Sequence, residues 1–586
     1  MRSARDLEDL LADIDRRGYP AYKRVAGAYD LGGGLTLSVD HVQGDPFAAP
    51  SSLSVSVPLE VTGFPAELVE TRWRRVAFED FLLRRLGRAL ARHSHEVGGS
   101  GKSGLLATSR PVPEVLERSA SEVTDGTVTL RFEAGFPAHG RTADARGLAR
   151  MLLDLVPLCA EQSLLADDDA LAEARERMEL ADDQHFVRAE LERLGLVAFV
   201  ADGSVLPRAT GVSAAPLAGA TPFTAPESMR VALDLPHRGP TSGMAVHRGV
   251  TLIVGGGYHG KSTLLKALQE GVYDHIAGDG RELVVTDASA WKLRAEDGRP
   301  VRDADISLFI GELPSGQDTR RFSTGDASGS TSQAASTVEA MAMGAHALLI
   351  DEDTSATNFM VRDWLMEAVV SRDHEPITPF VERVRDLWEK AGVSSVIVAG
   401  SSGAFFSVAD TVVQMDRYRA LDITDRARKV CRELGAPDTP QAPGFATPKT
   451  ERGCHLEIRD ERLASARARG GDAGDAGRRY SHARAGTPKA KAAGTDEVRV
   501  GNGMADLRLV EQLVDKEQVT AIARLVAVAA SRGLLDGGLT SAEIARRLTE
   551  EVERDGWEAV LGHGSMDSGL ALPRPHELAA TLNRWR

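Results

Sequence analysis

Gly255, Gly260, Lys261 and Ser262, within GGGYHGKSTLL, fit the phosphate-binding pattern G-x-x-x-x-G-K-[ST]. In that pattern the backbone N–H groups of Gly255, Gly256, Gly257, Tyr258, His259 and Gly260 wrap a phosphate chain. Lys261 reaches the β- and γ-phosphates, the Ser262 hydroxyl holds Mg²⁺, and Thr263 lies in the first turn of a helix whose positive end adds to the site. His259 is read as a loop-packing residue, because its sequence neighbours offer no acid to orient it. A magnesium site of this kind needs a carboxylate at the end of a neighbouring strand, and HALLIDEDTSAT supplies Asp351 for the metal. Glu352 follows, where it can polarise an attacking water, and an Asp-Glu pair favours hydrolysis over transfer to a substrate hydroxyl. Upstream, Ser328, Gly329 and Ser330 open an Ala-rich helix, a second anion site suited to a γ-phosphate. A similar stretch, GGSGKSG at 98–104, has Glu96 where the first glycine belongs and is read as a flexible loop.

These residues need elements to hold them. The runs VTLIV, ALLID and SSVIVAG are short apolar strands separated by helical segments, the pattern of a mostly parallel sheet covered by helices, over 166–425. Residues 1–165 mix strand-like alternation (SLSVSVPLEV, GTVTLRFEA) with basic helical stretches such as FEDFLLRRLGRALARH, and are expected to form an α+β domain. A Gly-, Ala-, Pro- and Arg-rich segment, 426–495, precedes a mainly helical domain over 496–586, in which SAEIARRLTEEVERDGW offers Ser541 as a helix cap.

A chain of 586 residues, 42% hydrophobic and 26% charged, has room for several domains and a large core. Cys159, Cys431 and Cys454 are far apart, which disfavours a disulfide framework or a cysteine metal site and fits a reducing cytoplasm. The first residues alternate charge with leucine like a surface helix, and no apolar run reaches membrane-spanning length, so a cytoplasmic protein without a membrane segment is expected. The net charge of -15 argues against uniform nonspecific binding to nucleic acid.

The loop at Ser328, placed shortly before the Asp351-Glu352 strand, resembles the signature loop of ATP-binding-cassette proteins. VTLIVGGGYHGKSTLL, GDGRE, FSTGDASGSTSQAA, DEDTSATNFMVRD and EPITPF together are similar to one family, the stand-alone ABC-class ATPases of bacteria, which have relatives in a few eukaryotic lineages. The likeness extends through QGDPFAAPS, VAFVADGSVLPR and DLRLVEQLVDKEQ and so spans nearly the whole chain. It implies an N-terminal domain, a P-loop cassette core that binds ATP and Mg²⁺, a C-terminal domain and no transmembrane partner. One relative is an RNA-associated mitochondrial ATPase. It also implies a head-to-tail homodimer in which the Ser328 loop of one copy completes the site of the other.

Two departures stand out. Cassette ATPases carry a histidine after the strand that follows the catalytic glutamate, but SSVIVAGSSGAFF has Gly400, Ser401 and Ser402 there. Ser401 or Ser402 could donate to the γ-phosphate instead, with Ser401 the candidate, a weaker donor than an imidazole, so slow hydrolysis is expected. Gln317 is a candidate for the glutamine that links nucleotide to a coupled partner, with Arg320 and Arg321 beside it.

Between Arg462 and Lys491 lie eight Lys or Arg against Asp472 and Asp475, a local charge of +6 with Tyr480 and His482 interleaved. Such a segment can neutralise phosphates and stack bases, which points to RNA or DNA as the coupled partner. A solubilising linker explains it as well, in which case the ATP-bound dimer would recruit a protein. A P-loop kinase is disfavoured because no acceptor-substrate pocket is legible.

Overall fold

The computed structural model describes residues 1–362, 369, 375–435, 442, 444–449, 452–459, 487–562 and 566–586. Most of the basic segment, 460–486, lies outside them. The described residues fall into two compact units. One comprises Met1–Asp182 with Glu551–Leu572; the other comprises Asp183–Arg469, Thr487–Glu550 and Pro573–Arg586.

In the first unit the strands Ser51–Pro58 and Thr127–Ala134 pair antiparallel along their full length. Strict alternation in the second strand turns Val128, Leu130, Phe132 and Ala134 into the core and leaves the residues between them at the surface. The helix Arg72–His93 packs on this core through Phe78, Phe81, Leu82 and Leu86. Its arginines do not form a free basic face. Arg72 pairs with Glu117 at 2.7 Å, Arg74 with Asp182 at 2.8 Å, Arg75 with Glu79 at 3.2 Å and Arg84 with Asp80 at 2.6 Å.

The expectation of a flexible loop at 98–104 is overturned. The N–H of Ser100 donates to Ala138 O at 2.8 Å and that of Lys102 to Pro46 O at 2.8 Å. A Cβ at Gly104 would fall 1.8 Å from Val97 O, so these glycines permit a tight, pinned backbone rather than a loose one.

The second unit is built on a six-stranded sheet in the order Trp291–Leu293, Ala347–Asp351, Ser394–Val398, Val250–Val254, Thr411–Asp416, Arg419–Asp422. The first five strands run parallel and the last is an antiparallel edge. Val250–Val254, Ala347–Asp351 and Ser394–Val398 are buried almost throughout, as apolar runs in a sheet covered on both faces must be. A four-stranded antiparallel sheet, containing Leu196–Ala201, Arg230–Leu235, Gly239–His247 and Val284–Thr286, belongs to the same unit.

A three-stranded meander, Ala490–Ala493, Glu497–Val500 and Gly503–Asp506, precedes the helices of the region 496–586. The helix Lys516–Ser531 then starts at Asp515, whose side chain forms a capping box with Gln518. The following helix, Ser541–Leu561, is capped one residue earlier than expected. Thr540 Oγ1 accepts from Glu543 N at 3.1 Å and Glu543 accepts from Thr540 N at 2.7 Å, so Thr540 and not Ser541 is the cap. The three cysteines are free. No helix among the described residues is long and apolar enough to cross a membrane.

Candidate functional site

Sheet register sets the site's layout. Ile253 and Asp351 both sit opposite Val398, on the two sides of the Ser394–Val398 strand. At about 4.8 Å per strand, the loop after Val254 and the carboxylate of Asp351 are therefore roughly 10 Å apart, with residues 399–402 rising between them. That is room for a phosphate chain and a metal ion at one edge of the sheet.

The loop 255–260 is shaped by its glycines at two points. Gly255 has φ +143° and its Cβ would fall 2.3 Å from Met415 O on the neighbouring strand. Gly260 has φ +100° and caps the helix Lys261–Glu270. Lys261 folds back into the loop, its ammonium donating to Gly255 O at 2.7 Å and Gly256 O at 2.9 Å. Gly257 faces open space, Ser262 is exposed, and Thr263 lies in the first helical turn.

Tyr258 is 99% exposed, with φ +63°. A second aromatic, Tyr418, was not legible as a site residue. It is 57% exposed, donates its N–H to His259 O at 3.2 Å and brings its ring within 3.3 Å of where a Gly260 Cβ would be. His259 does have an acidic partner: its Nδ1 lies 3.1 Å from Asp416 Oδ1 and 3.2 Å from the Arg417 N–H. The turn joining Thr411–Asp416 to Arg419–Asp422 delivers that acid, which local sequence does not show.

Across the sheet edge, the Glu352 carboxylate is held by residues 400–401. Its Oε2 accepts from Gly400 N at 2.8 Å and Ser401 N at 3.2 Å, and its Oε1 accepts from Ser401 Oγ at 2.7 Å. Burial pulls the carboxyl upward, but these hydrogen bonds outweigh it and hold Glu352 below the ordinary glutamate range. With two donors on Oε2 and one on Oε1, Oε1 keeps a lone pair for a water. The Ser401 hydroxyl thus serves Glu352 here, not the phosphate position expected for it. Asp351 Oδ1 accepts from Asp353 N at 3.2 Å.

Ser328 caps the 14-residue helix Gly329–Ala342, and its Oγ accepts from Thr331 N at 3.4 Å. Gln317 donates its amide to Ser323 O at 2.6 Å, and Arg321 pairs with Asp303 at 2.9 Å. Arg320 is exposed.

No group of three metal-ligating side chains exists among the described residues. The donor set still suits magnesium. An exposed hydroxyl at Ser262 and a carboxylate at Asp351 are hard oxygen ligands, which Mg²⁺ takes in small number alongside phosphate oxygens and water. The ammonium of Lys261, held inside an open loop, suits the phosphates themselves.

Residues 170–450 match a P-loop domain model named for the ABC ATPases. Residues 4–167 match the N-terminal domain of ATPases of the ABC class, and 489–586 match the MRB1590 C-terminal domain. An uncharacterised protein of Methanocaldococcus jannaschii is 32% identical over 254 residues, which is 41% of this chain and 55% of that protein, so the chain spans about half the length of this curated relative. Among solved structures, an ATP-binding cassette of an ABC transporter in its ADP conformation matches 41% of this chain and 96% of its own, at 13% identity and TM-score 0.24. A bacterial Atm1-family exporter with ATP bound matches 50% of each chain, at 14% identity and TM-score 0.23.

Proposed function

Because the chain belongs to the family of ABC-class ATPases, with that family's N-terminal, P-loop and C-terminal parts in order, we propose that it binds ATP and hydrolyses it to ADP and phosphate at the loop 255–263. The observation that carries this reading is the pairing of an ammonium and a carboxylate at one sheet edge. Lys261 sits inside an open glycine loop, and Glu352, kept anionic by Gly400 and Ser401, stands across the intervening strand.

The geometry supports the following roles. The loop's N–H groups and Lys261 bind and orient the phosphates, and Ser262 and Asp351 hold the metal. Mg²⁺ bound there offsets charge on the phosphate oxygens. Glu352 takes the proton of the attacking water through Oε1, and Ser401 positions Glu352. The purine lies against Tyr418, whose exposed ring borders Gly260. Two copies close head to tail so that Ser328, Gly329 and Ser330 of one cover the γ-phosphate held by the other.

The closure is coupled to nucleic acid, with RNA favoured. The basic run Arg462 to Lys491 and the resemblance to a family with an RNA-associated relative support this. The described end of that run adds an exposed Lys491 directly across from exposed Arg499 in the three-stranded sheet. The protein acts in the cytoplasm.

Lys261→Ala tests the site. Removing one preorganised charge from the phosphates should lower turnover by at least about a hundredfold while leaving the thermal melt unchanged, since Lys261 bonds only to its own loop. Parental turnover in that variant would show that the nucleotide is handled elsewhere.

A further inference from the structure

The Ser328 half of the shared site contains a cation that no motif announces. The strand Trp291–Leu293 pairs with Ala347–Asp351 so that Leu293 lies opposite Ile350, which brings Arg294 beside Asp351. The next N–H, of Ala295, donates to Thr354 O at 3.0 Å and ties this turn to the loop after Glu352. Arg294 then lines an open cleft of about 460 Å³ with Ser328, Gly329, Ser330, Asp353 and Asn358. It is the one basic side chain among the residues lining that cleft, against the carboxylates of Asp297 and Asp353.

Its aim is fixed from the C-terminal region. The Arg294 Nη1 donates to Glu511 Oε1 at 2.5 Å, and Glu511 Oε2 lies 3.5 Å from the Lys292 ammonium. Glu511 is itself anchored, because its carbonyl accepts from Gln269 in the helix that begins at Lys261, at 2.6 Å. Nη2 of Arg294 takes no hydrogen-bond partner among the described residues, and the side chain is 23% exposed.

The residues placed at the phosphates above supply one cation, Lys261. The position of the usual histidine holds Gly400–Ser402, and the Ser401 hydroxyl is engaged by Glu352. Of the groups named so far, charge developing on the three γ-oxygens would meet Lys261, the metal and neutral N–H groups. Building on the shared-site reading above, we propose that Arg294 is the missing cation. It reaches the γ-phosphate bound at Lys261 of a second copy, and Glu511 is the positioning residue that aims it.

Pairwise mixing of three variants under conditions of subunit exchange tests this. Arg294→Ala, Lys261→Ala and Ser328→Arg should each be slowed on the order of a hundredfold alone. Lys261→Ala mixed with Ser328→Arg reads the shared-site premise. Recovery toward about a quarter of parental turnover is expected, because half of the dimers are mixed and each of these has one sound site. Without recovery the premise falls, and the role of Arg294 in the second copy falls with it. Given recovery there, Arg294→Ala mixed with Lys261→Ala should also recover, and Arg294→Ala mixed with Ser328→Arg should not. The reverse pattern would place Arg294 on its own chain's nucleotide and overturn the proposal, as would parental turnover in Arg294→Ala alone. Arg294→Lys guards against a folding defect. It keeps a cation, should recover at least tenfold over Arg294→Ala at equal melting temperature, and counts against the proposal if the two are equally slow.

Discussion

Ser401→Ala separates two roles for one hydroxyl. The variant removes one of three hydrogen bonds to Glu352 and leaves the N–H donors of Gly400 and Ser401 in place. A hydrogen bond to a charged group contributes about 1.5–3 kcal/mol when buried. Glu352 is only partly buried, so solvent screening reduces this to about 1 kcal/mol, or roughly a fivefold loss of rate. The direction with pH is also fixed. Glu352 is held below the ordinary glutamate range, and losing a donor to its anionic form must move it upward, so the acid limb of the turnover profile shifts to higher pH. Steady-state hydrolysis of the parent, Ser401→Ala and Ser401→Thr across the acid range reads both quantities, with Thr expected to restore the parental profile. A loss of a hundredfold or more with an unmoved acid limb would mean instead that the hydroxyl serves the γ-phosphate directly.

Burial pushes the His576 imidazole down to about 2, helped by Arg574, Arg546 and His346, and neither ring nitrogen has a hydrogen-bond partner among the described residues. The unfolded chain then binds one more proton below the ordinary histidine range near 6.5, so stability should fall by up to about 1.4 kcal/mol per pH unit on acidification from there, and His576→Leu should flatten that slope in pH-dependent denaturation. Deleting 462–486, or reversing Arg478 and Arg479, should weaken RNA and DNA binding in a salt-dependent gel shift and lower the slope of log affinity against log salt by roughly one per lost phosphate contact, with basal hydrolysis unchanged. Unchanged binding would make the segment a linker.

The parts of the site that sequence reveals are those whose chemistry is written in contiguous residues. The phosphate loop, the Asp351-Glu352 strand end and the Ser328 cap each combine a short apolar strand or a helix start with the residues that act, so local pattern places them together. What sequence hides are the pairings made by topology. Ser401 meets Glu352 across 49 positions, and Glu511 meets Arg294 across 217. Asp416 reaches His259 only because its strand lies beside Val250–Val254. The same cause explains the basic look of Arg72–His93: its acidic partners Glu117 and Asp182 lie far along the chain. The pinned loop at 98–104 was hidden for a different reason, since glycine-rich sequence signals freedom or close packing with equal strength, and only contact with Pro46 and Ala138 decides between them.

Trapping the nucleotide on Glu352→Gln reads whether this chain hydrolyses ATP with Glu352 as the base. The substitution removes the charge while its amide oxygen still accepts from the Gly400 and Ser401 N–H groups and its NH2 faces the Ser401 hydroxyl, which can accept. Incubated with Mg²⁺ and labelled ATP and then freed of excess nucleotide, the variant should retain uncleaved ATP at one per chain and elute as a dimer, while the parent releases ADP and phosphate. Cleavage of the bound ATP by Glu352→Gln at the parental rate would rule out Glu352 as the base.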